Sequence, residues 1–289
     1  MLECVANVSE GRRPDVLADL AAACGDVLLD VHTDRDHHRS VFTLAAPGVD
    51  EIVAGALRLA RGVDRRLDLS DHLGVHPRIG SLDVVPFVAL DVDHEYAVEA
   101  ARSFGEQVAD ELGLPVFLYD SADPVGRTLP SVRREAFVSR APDFGPPAPH
   151  PRLGGVCVGA RPFLVAVNCE LANEDPAVAA EIARLVRERD GGLAGVRALG
   201  FSLPSRARSQ VSMNLVNLSA TGVQEACWAV RDHARRVGSE VVGVELVGLL
   251  PAAELNRCSA EFLGWAGLGP GDTIEARLAR FSPVPDPPT

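Results

Sequence analysis

Two hydrophobic periodicities alternate along the chain, and their order predicts the fold. Leu2 to Val8 is an apolar run that reads as a buried strand, followed by a turn marked by Ser9, Gly11 and Pro14. Asp15 to Cys24 has helical spacing and stops at Gly25. Val27 to His32 and Arg39 to Ala45 read as strands joined by the polar turn TDRDHH, a hairpin signal. Val49 to Arg66 places Ile52, Ala56, Leu59 and Val63 on one helical face. A strand from Leu82 to Val88, a helix from His94 to Leu112 and a short strand from Val116 to Tyr119 follow.

The pattern restarts at Phe163. A strand (Phe163 to Cys169) leads to a helix (Pro176 to Arg189) ending at Gly191 and Gly192. Strands from Val196 to Leu203 and Gln210 to Asn217 come next, then a helix from Thr221 to Val237 and a strand from Glu240 to Leu249. A last helix is expected near Ala252 to Phe262. Each half is β-α-β-β-α-β, the first with an extra α-β, so the fold class expected is α/β, in the α+β sense, with two similar subdomains either side of a linker near residues 155 to 162. Each subdomain would cover one sheet face with helices, and the two open faces could meet around a ligand groove. The proline-rich tail from 282 to 289 is expected to be disordered.

Composition narrows the function. A net charge of −12 and few aromatic residues argue against nucleic-acid binding, which needs a basic face and stacking platforms. Every side-chain cation other than histidine is arginine, since the chain has no lysine. Schiff-base and P-loop lysines are therefore excluded, and carboxylates must be met by arginine forks, backbone amides or helix ends. The six cysteines are scattered, without CxxC spacing. With no signal-peptide pattern and no apolar stretch of membrane-spanning length, a cytoplasmic location is expected and no membrane partner.

The densest chemistry lies in HLGVHPRIGSLDVVPF, His72 to Phe87. Gly74 and Pro77 interrupt the histidine spacing, so His72 and His76 do not lie on one helical turn. Pro77 restricts His76 to extended backbone, which fixes the direction of an imidazole suited to acid–base work; Asp71 and Arg78 stand nearby. The same histidine also reads as a surface residue. A third reading joins His72 and His76 to Asp34 and Asp36 of the hairpin turn as metal ligands of an amide hydrolase. NVSEGR, Asn7 to Arg12, reads as a strand-to-helix turn or an anion site at a helix N-terminus. In the strand QVSMNLVN, Gln210, Ser212 and Asn214 share one face, a polar set suited to meeting a ligand. Five prolines between Pro142 and Pro151 make that stretch stiff, either a linker or a preformed wall for a flat ligand.

The ordered segments ECVANVSEGR, LLDVHTDRDHHRSVFTLAAP, DHLGVHPRIGSLDVVPF, APDFGP, VGARPFLVAVN, GGLAGVRALG, QVSMNLVN and VELVGLLP resemble the glutamate formimidoyltransferase family from about residue 2 to 255. In animals that enzyme is fused to a cyclodeaminase, and the resemblance here is to the stand-alone bacterial type. The resemblance implies two formiminotransferase subdomains, 1–161 and 162–281, with sheets facing each other and helices outside. It implies transfer of a formimino group from N-formimino-L-glutamate to N5 of tetrahydrofolate, a co-substrate, with no metal; formyl transfer is the neighbouring alternative. It makes His76 of the HPR motif the catalytic histidine. It assigns folate contact to Gly145, Pro146, Pro147, Ala148, Pro149, His150, Pro151, Arg152, Leu153 and Gly154. Arg39, Arg78 and Arg161 become candidates for substrate carboxylates, and a homodimer is implied. One departure stands out: His38 occupies a position where the family usually has asparagine.

Overall fold

The structure, a computed structural model, describes residues 1–70 and 72–279. Asp71 and the expected disordered tail lie outside the described residues. The chain divides into two compact units, one from Met1 to Phe163 and the other beginning at Leu164.

The first unit contains β1 (Leu2–Val8), α1 (Pro14–Cys24), β2 (Leu28–Asp34), β3 (Arg39–Ala46), α2 (Val49–Arg66), β4 (Leu82–Ala89), α3 (His94–Leu112), β5 (Val116–Asp120), α4 (Leu129–Glu135) and β6 (Val156–Ala160). Its sheet runs β2-β3-β1-β4-β6-β5. The first four strands pair antiparallel, and β6 joins β4 and β5 in parallel. The period of two along β1 sends Leu2, Cys4, Ala6 and Val8 into a core shared with α1, α2 and α3. Glu3, Val5 and Asn7 point to the other face. There α4 packs Val132 on Val84, Phe117, Tyr119 and Cys157. The register between β1 and β4 slips where Asn7 pairs with Val84 but Val8 pairs with Leu82. Asp83 is the extra residue of that bulge, a device that re-aims a side chain beside many active sites.

The second unit contains β7 (Val165–Leu171), α5 (Pro176–Val186), β8 (Val196–Leu203), β9 (Arg208–Leu215), α6 (Val223–Arg236) and β10 (Val241–Val247). Three short helices follow, α7 (Ala252–Asn256), α8 (Ala260–Ala266) and α9 (Ile274–Leu278). Its antiparallel sheet runs β10-β7-β9-β8. In both units the core strands lie in the order second, third, first, fourth when read from the same edge. The molecule is thus a mixed α/β protein of two subdomains with one repeated topology.

Several sequence expectations are corrected. The stretch expected as a linker, 155 to 162, contains β6, buried on both faces between two parallel neighbours. Such a strand has no alternation to betray it. Helix α4, entered through a proline in its first turn, was not anticipated. The strand expected from Phe163 begins at Val165, and the one expected at Gln210 begins at Arg208. The helix expected to reach Arg189 ends at Val186, and the last expected helix is two, α7 and α8. Among the described residues no helix is long and apolar enough to cross a membrane.

Candidate active site

Residues 67 to 81 join α2 to β4, and the strand end anchors them. Ser9 donates its backbone N–H to Ser81 O at 2.7 Å and its hydroxyl to Gly80 O at 2.8 Å. Arg78 acts as an internal strut. Its Nη2 donates to His76 O (2.8 Å) and His37 O (3.1 Å), and its Nη1 to His38 O (3.3 Å). The histidine loop is thereby tied to the β2–β3 hairpin turn. Arg78 Nη1 also lies 2.8 and 2.9 Å from the ring nitrogens of His72. A guanidinium has only donors, so His72 accepts from it and is neutral.

His76 Nδ1 lies 2.7 Å from Pro77 O. A carbonyl oxygen only accepts, so Nδ1 carries the hydrogen and Nε2 carries the basic lone pair. Burial, then the charges of Arg39 and Arg133, lower the His76 pKa from 6.5 to about 3. The resting ring is therefore neutral, a base held ready.

Beneath this loop lies a buried ionic cluster. Asp83 is fully buried; its Oδ2 accepts from Arg39 Nη1 at 2.6 Å and from Arg133 Nη2, and its Oδ1 accepts from Ile79 N at 2.8 Å. Burial alone would raise the Asp83 pKa, but Arg39 and Arg133 outweigh it and lower it. Arg39 also reaches Asn7 Oδ1 at 3.1 Å. An arginine held by internal partners positions neighbours, whereas a substrate fork needs open donors.

The hairpin turn explains the departure at His38. Its φ is +48°, a left-handed conformation in which asparagine is enriched. The His38 ring stacks on His72 with centroids 4.0 Å apart, and its Nδ1 accepts from Gly11 N at 3.0 Å. Burial, then His72, lowers its pKa from 6.5 to about 4. The anion site read into NVSEGR is filled from within. Glu10 Oε1 accepts from the N–H groups of Gly11 (2.9 Å), Arg12 (2.7 Å) and Arg13 (3.0 Å).

The proline-rich segment meets the same loop. Residues 145 to 149 are exposed, and His150 and Gly154 close a tight turn by reciprocal backbone bonds of 2.8 and 2.9 Å. Gly155 N then donates to Ile79 O at 2.9 Å, and Ser81 N to Leu153 O at 2.9 Å. The end of the segment thus crosses the end of the histidine loop. Arg152 is anchored to the C-terminus of α2 through Asp64 Oδ1 at 2.7 Å.

Within the first unit, Arg161 lies apart from this cluster. Arg161 donates its backbone N–H to Phe87 O, four residues along β4 from Asp83, or roughly 13 Å at the usual strand rise. In the second unit Gln210, Ser212 and Asn214 share a face of β9 opposite the buried Val211, Met213 and Leu215. Gln210 Nε2 donates to Glu245 Oε2 at 3.2 Å, as does Asn168 Nδ2 at 3.0 Å. Asp34 Oδ1 is turned onto His37 N–H at 2.6 Å, the Arg78 cation lies against the His72 ring, and no group of three or more metal-ligating side chains converges among the described residues.

Sequence reasoning missed Asp83, Arg133 and Glu10. Asp83 carried a visible signal, a lone charge inside the apolar run LDVVPF, which calls for a partner. Arg133 carried none, because its helix was not anticipated.

The family model described as "Formiminotransferase domain, N-terminal subdomain" matches residues 1–161, and that described as "Formiminotransferase domain" matches residues 166–265. The glutamate formimidoyltransferase of Streptococcus pyogenes serotype M1 is 38% identical over 272 residues, covering 88% of this chain and 90% of that protein. That of Thermoplasma acidophilum is 35% identical over 301 aligned residues, covering 97% and 98%. The formimidoyltransferase-cyclodeaminase of Sus scrofa is 37% identical over 281 residues, 90% of this chain but 52% of that longer protein. With both subdomain models matched in order and full-length relatives at this identity, the chain belongs to the formiminotransferase family.

Proposed function

We propose that the protein transfers the formimino group of N-formimino-L-glutamate to N5 of tetrahydrofolate, with His76 as the general acid–base group. The observation that carries this reading is the fixed tautomer of His76, whose Nδ1–H is bound to Pro77 O and whose Nε2 is the basic nitrogen. In the reaction N5 attacks the formimino carbon, forming a C–N bond and a tetrahedral intermediate. Nε2 takes the N5 proton and returns it to the glutamate nitrogen, whose C–N bond then breaks. The proton count balances, and no covalent enzyme intermediate is required. The surroundings of His76 suit that route: there is no lysine, and burial pushes the nearby Cys157 thiol up to about 12, far from a thiolate.

In this reading the segment from Gly145 to Gly154 forms a wall for folate, supported by its exposure and its backbone crossing with the histidine loop. Arg39 and Arg78 act by holding the loop, and Arg161 at the end of the first unit is a candidate for a substrate carboxylate. The cytoplasm is the compartment that suits six free thiols. The test is direct. Purified protein is given tetrahydrofolate with N-formimino-L-glutamate or with N-formyl-L-glutamate, and the folate product is followed by absorbance. Turnover of the formimino donor is expected; turnover of the formyl donor alone would move the assignment to formyl transfer, and turnover of neither would end it.

A further inference from the structure

We propose that Arg133 is a positioning residue for His76, bridging Asp83 and the Pro77 carbonyl so that the carbonyl is held against the imidazole. The inference rests on reading His76 as the acid–base group and adds how that group is set. Arg133 Nη1 donates to Pro77 O at 2.9 Å, the same oxygen that lies 2.7 Å from His76 Nδ1. Its Nη2 donates to Asp83 Oδ2. Asp83 in turn holds Ile79 N, two residues beyond Pro77. One buried carboxylate therefore grips the chain just after His76 twice, once directly and once through Arg133.

A strut built only for packing would not need this arrangement. Arg133 Nε is buried and has no partner among the described residues, a cost that an apolar side chain would avoid. Two guanidinium groups also share one carboxylate, since Arg39 occupies the same oxygen. Among the described residues, the charged and titratable groups facing His76 include Arg39 from β3, Asp83 from β4, Arg133 from α4, His37 from the hairpin turn and Arg78 from its own loop. The balance among them is cationic, which opposes protonation of the ring. Arg133 thus serves His76 in two ways. It fixes the acceptor that selects the Nδ1–H tautomer, and it adds positive charge that keeps Nε2 unprotonated.

The experiment uses the full chain labelled with ¹⁵N-histidine, with His76 assigned through H76Q. Tautomer and titration midpoint are read by NMR in the wild type, R133M and R133K, alongside the pH profile of kcat/KM. In R133M the Nδ1–H tautomer should give way to a mixture. The His76 midpoint should rise by at least about one pH unit, the usual effect of a neighbouring charge. The acid limb of kcat/KM should move with it, while KM for folate stays unchanged. R133K, which keeps the charge without the fork, should restore the midpoint but not the tautomer. If R133M does not fold, D83N provides the second arm and should move the midpoint downward. Lost activity in R133M with tautomer and midpoint both at wild-type values overturns the inference. NMR changes as expected in a protein without formimino transfer would instead overturn the activity and leave the strut standing.

Discussion

His38, His72 and His76 form a set of imidazoles whose pKa values the fold depresses, each chiefly by burial. All three are neutral at pH 7. Between the unfolded value of 6.5 and the folded values, about 4 for His38 and about 3 for His76, the unfolded chain binds more protons than the native one. Their contribution to stability is fully present above pH 6.5 and is lost as pH falls toward the folded values. Urea unfolding from pH 7 to 4 should show falling stability, and H38N should reduce the slope by about one proton. An unchanged slope in H38N would place the acid sensitivity elsewhere. H76A should lower kcat by roughly 10²–10⁴-fold, the usual worth of a general acid–base group, with little change in folate affinity. Single-turnover kinetics with equilibrium folate titration separates the two quantities. The local constraint on His76 was legible in the sequence because Pro77 is its immediate neighbour. Asp83 showed only as a charge in an apolar run, without its partners, and Arg133 did not show at all, because their pairing forms only when a helix 50 residues further on returns to the loop.

At the level of elements, the site depends on a close crossing of two backbones. Gly154 has φ +74°, and a Cβ there would lie 2.2 Å from Ile79 O. Gly113, the C-terminal cap of α3, has φ +62° but open space around it. G113A should therefore cost only the left-handed strain, of order 1–3 kcal/mol, and leave kcat/KM intact. G154A should cost more and also lower kcat/KM, because the clash pushes the histidine loop from the segment. Thermal melts and kinetics on the two variants check this; equal behaviour would mean that the crossing does not matter. Elements with an amphipathic stripe or a clear cap were legible, and α2 and α3 occupy the residues expected. β6 and α4 were not. β6 is a five-residue run buried on both faces, and α4 is a seven-residue helix too short for periodicity to declare.

For the whole molecule, the duplicated order of elements was visible as two repeats of β-α-β-β-α-β, because that pattern is local; the order of strands in the sheets was not. The parallel pair β6 and β5 that widens the first sheet was hidden, since parallel pairing joins distant segments. The all-arginine composition has a molecular consequence. With no ε-amino group in the chain, acylation by amine-reactive esters should leave turnover unchanged, whereas an arginine-directed dicarbonyl should abolish it. Inactivation by the acylating reagent would show that a group other than those described controls the rate.

The crossing of Gly154 over Ile79 and Gly80 also has a thermodynamic meaning. Leu153 O and Ile79 O accept from Ser81 N and Gly155 N, so neither strand of the crossing can shift without breaking bonds to the other. A ligand that orders the proline-rich segment must order the histidine loop in the same event. The conformational entropy lost by the loop is then charged to whichever substrate binds first, and the second binds to a part already stiffened. Calorimetry with the unreactive pair folate and L-glutamate should accordingly find each binding at least about fivefold tighter in the presence of the other.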